Sequence, residues 1–296
     1  MPTSPARPVS PILPALLLIN PRSGSGSPSA EELEAEARRR GIDARILGRD
    51  DDPADLARNA QADALAVAGG DGSLAPIAEV ALERDVPFVV VPYGTRNHFA
   101  RDLDLDRDEP IKALDAFAGH ERRIDVGRAG GRVFLNNVSL GLYALLVHGR
   151  ERHRRRRNTF AQLRALLVLA GNRESTDLSV DGEQVEAHVA LVANNAYNLD
   201  LFSIGERKRL DEGRLHLYLA RGWRPRTWDE RTAERLTIDA AGHRLQAAVD
   251  GEPVVLETPI DFSIERSALR VLVPHAPGGE HVGDVLEGKV GHRDLV

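Results

Sequence analysis

Between Ala15 and Asp125 the chain repeats one unit: a short apolar run, a polar loop, then an amphipathic helix. Ala15–Ile19, Ile42–Leu47, Ala64–Ala68 and Val86–Val91 read as strands. Pro28–Arg40, Pro53–Ala60, Leu74–Arg84 and Glu109–Ala118 read as helices. The first helix carries its own boundaries. Ser29 can cap it, Glu31, Glu32 and Glu34 sit in its first turns, Arg38–Arg40 lie at its end, and Gly41 stops it. Strand, loop and helix in repetition predict a mostly parallel sheet covered by helices on both faces.

The texture changes near Ile124. Val133–Asn137, Thr176–Val180, Gln184–Val192, Leu215–Leu219, Leu236–Asp239, Gln246–Val249, Pro253–Thr258 and Ala268–Val273 are short and β-prone. Asp181-Gly182, Glu212-Gly213, Ala241-Gly242 and Asp250-Gly251 punctuate them as hairpin or bulge signals. This half predicts an all-β antiparallel sandwich with a helical insertion at about 140–170. The expected organisation is a loose Pro-rich tail over 1–14, an α/β domain over 15–124, the sandwich over 125–275 and a terminal segment, 276–296.

Composition narrows the chemistry. The 296 residues include no cysteine, which excludes disulfides, Cys-ligated zinc, iron–sulfur clusters and thiol catalysis in this chain. A net charge of −6 argues against nucleic acid as a partner held by bulk attraction. No apolar run reaches the roughly 20 residues that span a bilayer. Ile12–Ile19 is broken by Pro14 and reads as a strand rather than a signal-peptide core, so a cytoplasmic protein is expected.

Three polar loops follow successive strands: Asn20–Ser27, Gly69–Ser73 and Pro92–Asn97. In an open α/β sheet ligands bind beyond the carboxyl ends of the strands. Glycine lets backbone approach a phosphate, and amides at a helix start favour an anion. Three such loops together predict a phosphate-bearing ligand. The chain lacks G-x-x-x-x-G-K-[ST], and Ser23-Gly24-Ser25-Gly26-Ser27 lacks the third glycine of G-x-G-x-x-G. Walker-type NTPases and NAD dehydrogenases are therefore disfavoured.

At this point the residues resemble the diacylglycerol kinase catalytic family, which includes bacterial lipid kinases and sphingosine kinases. The resemblance is carried by Asn20-Pro21-Arg22-Ser23-Gly24, Gly69-Gly70-Asp71-Gly72-Ser73, Pro92–Arg101, Arg123–Gly127, Phe134–Gly141 and Val249-Asp250-Gly251-Glu252. It implies an α/β nucleotide-binding domain like that of NAD kinases and phosphofructokinases, a β-sandwich, a cleft between them, and a chain end returning to the first domain. It further implies ATP and Mg²⁺ as cofactors and a lipid hydroxyl, of diacylglycerol or a related lipid alcohol, as acceptor.

The resemblance places ATP against Asn20, Arg22, Ser23, Gly24, Gly69, Gly70, Asp71, Gly72, Ser73, Gly94, Thr95 and Asn97. It implies a water-linked Mg²⁺ network of Asp71, Asp125 and Glu252. Asp250 and Glu252 are its catalytic carboxylates, one as base and one linked to metal, in either order. The tripeptide Asp181-Gly182-Glu183 repeats Asp250-Gly251-Glu252, so position alone singles out the later copy. Arg209–Leu215 matches a region that holds a structural metal in some bacterial members, which would use Glu212. One departure stands out: His98 occupies the place of a common family Asp, removing a carboxylate from the network. The rival readings are an NAD kinase-like small-molecule kinase and a non-catalytic lipid- or nucleotide-binding relative.

Arg150–Arg157 carries six Arg and one Glu, a local charge of +5. Phe160, Leu163, Leu166, Leu167 and Leu169 follow at near-helical spacing. Arg154, Arg155, Arg156, Arg157 and Phe160 thus suit contact with anionic lipid at the inner face of the membrane. Equally, the spacing suits a helix packed on the sandwich. An exposed sandwich edge would also allow a homodimer.

Overall fold

The computed structural model describes residues 14–24, 27–95, 97–140, 176–187, 189–198, 206–220 and 228–275. The expected tail, the insertion about 140–170, the terminal segment 276–296, and Arg154–Arg157 with Phe160 fall outside the described residues, apart from the insertion's first residue, Leu140, and the tail's last residue, Pro14.

In chain order the first half contains β1 (Ala15–Ile19), α1 (Ala30–Arg39), β2 (Asp43–Ile46), α2 (Pro53–Asn59), β3 (Ala64–Gly69), α3 (Leu74–Arg84), β4 (Phe88–Pro92), α4 (His98–Asp102) and α5 (Pro110–Ala113). The second half contains β5 (His120–Ala129), β6 (Arg132–Phe134), β7 (Asn137–Leu140), β8 (Thr176–Val180), β9 (Glu183–Ala187), β10 (Val189–Asn194), β11 (Leu215–Ala220), β12 (Trp228–Ala233), β13 (Arg235–Ala240), β14 (Arg244–Val249), β15 (Glu252–Glu257) and β16 (Ile260–Val273).

The sequence signals for α1 act as read. Ser29 accepts from the Glu32 amide, and Glu32 accepts from the Ser29 amide at 2.7 Å, a capping box. The expected helix Glu109–Ala118 is instead the single turn α5 followed by a 3₁₀ segment, Leu114–Ala118.

Strands β2, β1, β3 and β4 lie side by side in parallel. Their apolar side chains alternate between two cores, as period 2 dictates. Leu16, Leu18, Leu65, Val67 and Val90 pack with α2, α3 and α4 on one face. Leu17, Ile19, Ala66, Val89 and Val91 pack with α1 and α5 on the other. The architecture expected from the sequence, a parallel α/β layer joined to an antiparallel sandwich, is present.

The two parts share strands. β16 pairs with β4 in parallel at Val271–Phe88 and with β5 in antiparallel fashion along most of its length. Its other end pairs with β13, which continues to β8 and β9, completing a sheet of ten strands among the described residues. A six-stranded antiparallel sheet, β12-β11-β10-β7-β14-β15, covers that second end. Leu178, Ile238 and Phe262 of one sheet meet Val192, Leu217 and Ala247 of the other in a common core. The expected strand Val133–Asn137 is broken at Leu135 and Asn136, where β6 ends and β7 has yet to begin.

Both Asp-Gly pairs at hairpin tips adopt two successive left-handed residues, with φ 49° and 84° at Asp181-Gly182 and 47° and 85° at Asp250-Gly251. That is the turn which matches the twist of paired strands. The tip between β14 and β15 is thereby aimed at the carboxyl ends of the parallel strands.

Candidate active site

The three loops meet. Asn20, just past β1, donates from Nδ2 to Ser73 Oγ at 3.1 Å, joining the first loop to the second. Its Oδ1 accepts from the Arg22 amide, and its carbonyl accepts from the Ser23 amide, folding the first loop into a tight turn. Arg22 and Thr95 stand exposed at the rim. Gly94 and Asn97 bond each other reciprocally: the Gly94 amide donates to Asn97 Oδ1 at 3.0 Å, and Asn97 Nδ2 donates to the Gly94 carbonyl at 2.9 Å. Asn97 is buried at φ 47°, a conformation that Asn tolerates better than most residues.

The glycines are required by close approach. A Cβ on Gly94 would lie 2.5 Å from the Gly70 Cα, so the second and third loops touch backbone to backbone. A Cβ on Gly24 would lie 2.7 Å from the Tyr93 ring. Tyr93 is held by its hydroxyl donating to the Pro28 carbonyl at 2.9 Å. Gly24 thus seats the first loop on Tyr93. Between the loops, a 3₁₀ turn, Asp71–Ser73, runs straight into α3, and no side chain caps its start. Those amides form a cradle suited to an anion.

Asp71 holds the third loop in place. Its Oδ2 accepts from the His98 amide at 3.1 Å and its Oδ1 from the Phe99 amide at 3.0 Å, capping α4 from another loop. The His98 contribution here is its backbone, so the exchange of side chain at this position leaves the cap intact.

The hairpin between β14 and β15 crosses to this cradle. A Cβ on Gly72 would lie 2.6 Å from Glu252 Cγ, so Glu252 lies directly against the glycine of the 3₁₀ turn. Its neighbour Asp250 is 8% exposed. Asp250 Oδ2 accepts from the Leu135 amide at 2.8 Å, and Oδ1 accepts from the amides of Asn136 at 2.7 Å and Asn137 at 3.0 Å. These bonds are why the strand breaks at Leu135–Asn136: the backbone donors turn to the carboxylate. Burial pushes the Asp250 carboxyl up to about 6, against the opposing pull of those three amides and of Arg207. Three bonds leave Oδ2 one lone pair with which to take a proton.

The sequence-predicted residues do not all converge. Asp125 is 1% exposed and both its oxygens are committed elsewhere. Oδ2 accepts from the Gly213 amide at 2.6 Å and Oδ1 from the Ser267 amide at 2.7 Å. It braces the turn before β11 and the irregularity in β16 at Glu265–Leu269. Asp71 and Glu252 belong to the cradle, whereas Asp125 does not join them. Among the described residues no three His, Asp or Glu side chains form a metal-binding group. Glu212 accepts from the Ala196 amide at 2.9 Å and lies 3.3 Å from His216 Nε2. Its partner is thus an imidazole, whose Nδ1 lies 2.8 Å from Glu230.

A buried polar group escaped the sequence reading. Arg207 and Asp102, with side chains 0% and 1% exposed, form an ion pair at 2.7 Å between the sandwich and α4. Arg207 lies 5.8 Å from the ring centres of Phe99 and Tyr197. Tyr197 accepts from Asn137 Nδ2 at 2.9 Å, and burial pushes its phenol up to about 12. Arg207 stands in the charged run Glu206–Arg209, which reads as solvated surface. No spacing signal marks it.

Comparison with known proteins bears on this geometry. Residues 14–129 match the family model described as the diacylglycerol kinase catalytic domain. A "Probable lipid kinase YegS-like" of Pseudomonas fluorescens is 42% identical over 79 residues, which are 26% of this chain and 26% of that protein. A diacylglycerol kinase of Mycobacterium tuberculosis is 36% identical over 119 residues, 38% of each chain. The matched stretches therefore span well under half the length of these relatives. The crystal structure of a diacylglycerol kinase from Bacillus anthracis superposes with a TM-score of 0.63 at 16% identity, covering 88% of this chain and 96% of that one. That likeness establishes the fold over nearly the whole length.

Proposed function

We propose that this chain, whose residues 14–129 match the model of the diacylglycerol kinase catalytic domain, transfers the terminal phosphoryl group of ATP to the hydroxyl of a lipid alcohol of the diacylglycerol class. The observation that carries this reading is the seating of Glu252, beside the buried base Asp250, directly on Gly72 of the glycine cradle. Glu252 brings the second half against the phosphate cradle, and Asp250 lies two residues before it at the tip of the same hairpin.

Phosphoryl transfer asks an enzyme mainly for positioning and charge neutralisation. The uncapped turn Asp71–Ser73 and the paired loops around Gly70 and Gly94 would hold the phosphates. Mg²⁺ keeps several waters and needs only one or two carboxylates beside phosphate oxygens. Glu252 fits that demand, Asp71 would do so through the lone pairs that the His98 and Phe99 amides leave free or through water, and the ion would offset phosphate charge. As the lipid oxygen bonds to the terminal phosphorus, the bond to the leaving oxygen of ADP breaks. The hydroxyl proton passes to the remaining lone pair of Asp250. The lipid would come from a membrane surface, to which the +5 run Arg150–Arg157 gives an attraction. Among the described residues no helix is long and apolar enough to cross a membrane.

The direct test is ATP turnover with diacylglycerol, a sphingoid base and NAD side by side. Turnover with a lipid is expected; turnover with NAD alone would replace the reading. Two further results are expected. The base must be ionised to work, and its carboxyl lies near 6. The ratio kcat/KM should therefore rise with pH through about 6 and level off above it. A profile flat from pH 8 down to pH 5 would remove Asp250 from the role. Glu252→Gln should lower kcat and raise the Mg²⁺ concentration needed for half-maximal rate. Unchanged values of both would detach Glu252 from the metal.

A further inference from the structure

We infer that Arg207 is a positioning residue that sets the width of the cleft, through one guanidinium shared between the two halves of the molecule. This rests on the kinase reading of the site. It goes beyond that reading by naming a residue outside the loops and carboxylates.

The fork is fully used. Nε donates to Asp102 Oδ2 at 2.7 Å, Nη1 to the carbonyls of Leu135 at 2.6 Å and Asn194 at 3.1 Å, and Nη2 to Asn136 Oδ1 at 2.7 Å. Leu135 and Asn136 are also the residues whose amides grip Asp250. Arg207 thus holds, from the carbonyl and side-chain side, the same short segment that holds the base from the amide side. On the α/β side, Asp102 is the last residue of α4, whose first amides are held by Asp71. A continuous run of bonds leads from the glycine cradle through Asp71, α4, Asp102 and Arg207 to Asp250.

Arg207 ties Asp102 directly to the segment that grips Asp250. The halves also meet through β5 and β16, whose register shifts between Glu265 and Leu269 with Ser267 at φ 49°, through the Arg128–Glu79 pair, and through Val133, Leu135 and Leu210, which pack in one core with residues of α3 and α4. An irregular crossing is a place where a sheet bends. The Arg207–Asp102 pair closes the molecule away from that crossing. A buried ion pair is weak evidence of stabilisation, since well-packed apolar residues often serve as well. Its planar fork is better suited to fixing a geometry, which a lysine cannot reproduce.

The test compares wild type with Arg207→Lys, Arg207→Met and the double variant Asp102→Leu/Arg207→Met. The double variant removes both charges and so avoids leaving Asp102 buried without this partner. Displacement of reacting groups by an ångström costs about 100-fold in rate. Arg207→Met and the double variant should lose kcat on that scale. KM for ATP should move by no more than about threefold, because the cradle itself is untouched. Arg207→Lys should fall between. The double variant should stay folded but melt below wild type, because the acceptors of Leu135, Asn136 and Asn194 lose this donor, and it should stay slow. Recovery of wild-type kcat together with stability in the double variant would reduce Arg207 to a structural role and overturn the inference.

A second readout does not need turnover. The chain has no cysteine, so spin labels on cysteines introduced at the exposed Asn59 and Gln246 report one distance across the molecule. The distribution should be narrow in wild type and broadened or lengthened in Arg207→Met and in the double variant. Identical distributions in all three would overturn the tie. If wild type turned over no lipid, the kinase reading would fail, while the label distances would still decide whether Arg207 holds the cleft.

Discussion

Asp250→Asn is expected to lower kcat by about 100-fold or more, the range that a positioned general base supplies. Two effects combine. The amide cannot take the hydroxyl proton. It also presents an NH₂ group to a pocket built from backbone donors: the amides of Leu135, Asn136 and Asn137 all point at this side chain. One of those donors would face another donor, so the segment between β6 and β7 would loosen. Hydrogen bonds to a charged group are worth about 1.5–3 kcal/mol each, so the melting temperature should fall as well. The same tripeptide elsewhere provides a control. Asp181 occupies the same kind of turn, is exposed, and accepts from the Thr237 amide at 2.8 Å. Asp181→Asn should keep wild-type turnover. Measurement of kcat and melting for both variants decides the matter: turnover within about tenfold of wild type in Asp250→Asn would take the base assignment away.

Gly94→Ala should act on the nucleotide side with comparable force. The new methyl would lie 2.5 Å from the Gly70 Cα, 2.9 Å from the Gly70 nitrogen and 2.9 Å from Asn97 Oδ1. Two of these are backbone atoms, so no side chain can swing away. Overpacking of this sort costs about 1–3 kcal/mol. The strain would spread the second and third loops and break the reciprocal bonds between Gly94 and Asn97. Affinity for a non-hydrolysable ATP analogue, followed by calorimetry, should drop by about tenfold or more, in line with that energy. Wild-type affinity in a folded Gly94→Ala protein would show that this backbone contact does not shape the nucleotide seat.

The sequence made the parallel layer legible because local signals and the fold agreed there. Ser29 caps α1 and Asp-Gly pairs turn both hairpins, each by chemistry confined to a few residues. Legibility failed where a residue's partner lay far along the chain. Leu135 and Asn136 read as strand, yet their amides leave the ladder for Asp250. The family resemblance implies Asp125 in a metal network, yet its side chain holds the amides of Gly213 and Ser267. Arg207 stands among charges in the sequence, while its partner Asp102 lies 105 positions away. Charged residues are ordinarily exposed, so burial of one can be seen only when the packing is known.

The long strand β16 has a consequence for how the molecule comes into being. β4 is buried throughout and pairs on one side with β3; on its other side stands Val271 of β16. During synthesis from the amino terminus, the glycine loops, α1 to α5 and four parallel strands emerge while that flank of β4 still lacks its neighbour. An unpaired apolar flank is a template for pairing with another chain. The stretch that carries the family match, 14–129, ends before β16 begins. It is therefore a unit of sequence likeness rather than of folding. The nascent nucleotide half must wait, or be shielded, until the last described strand has been made.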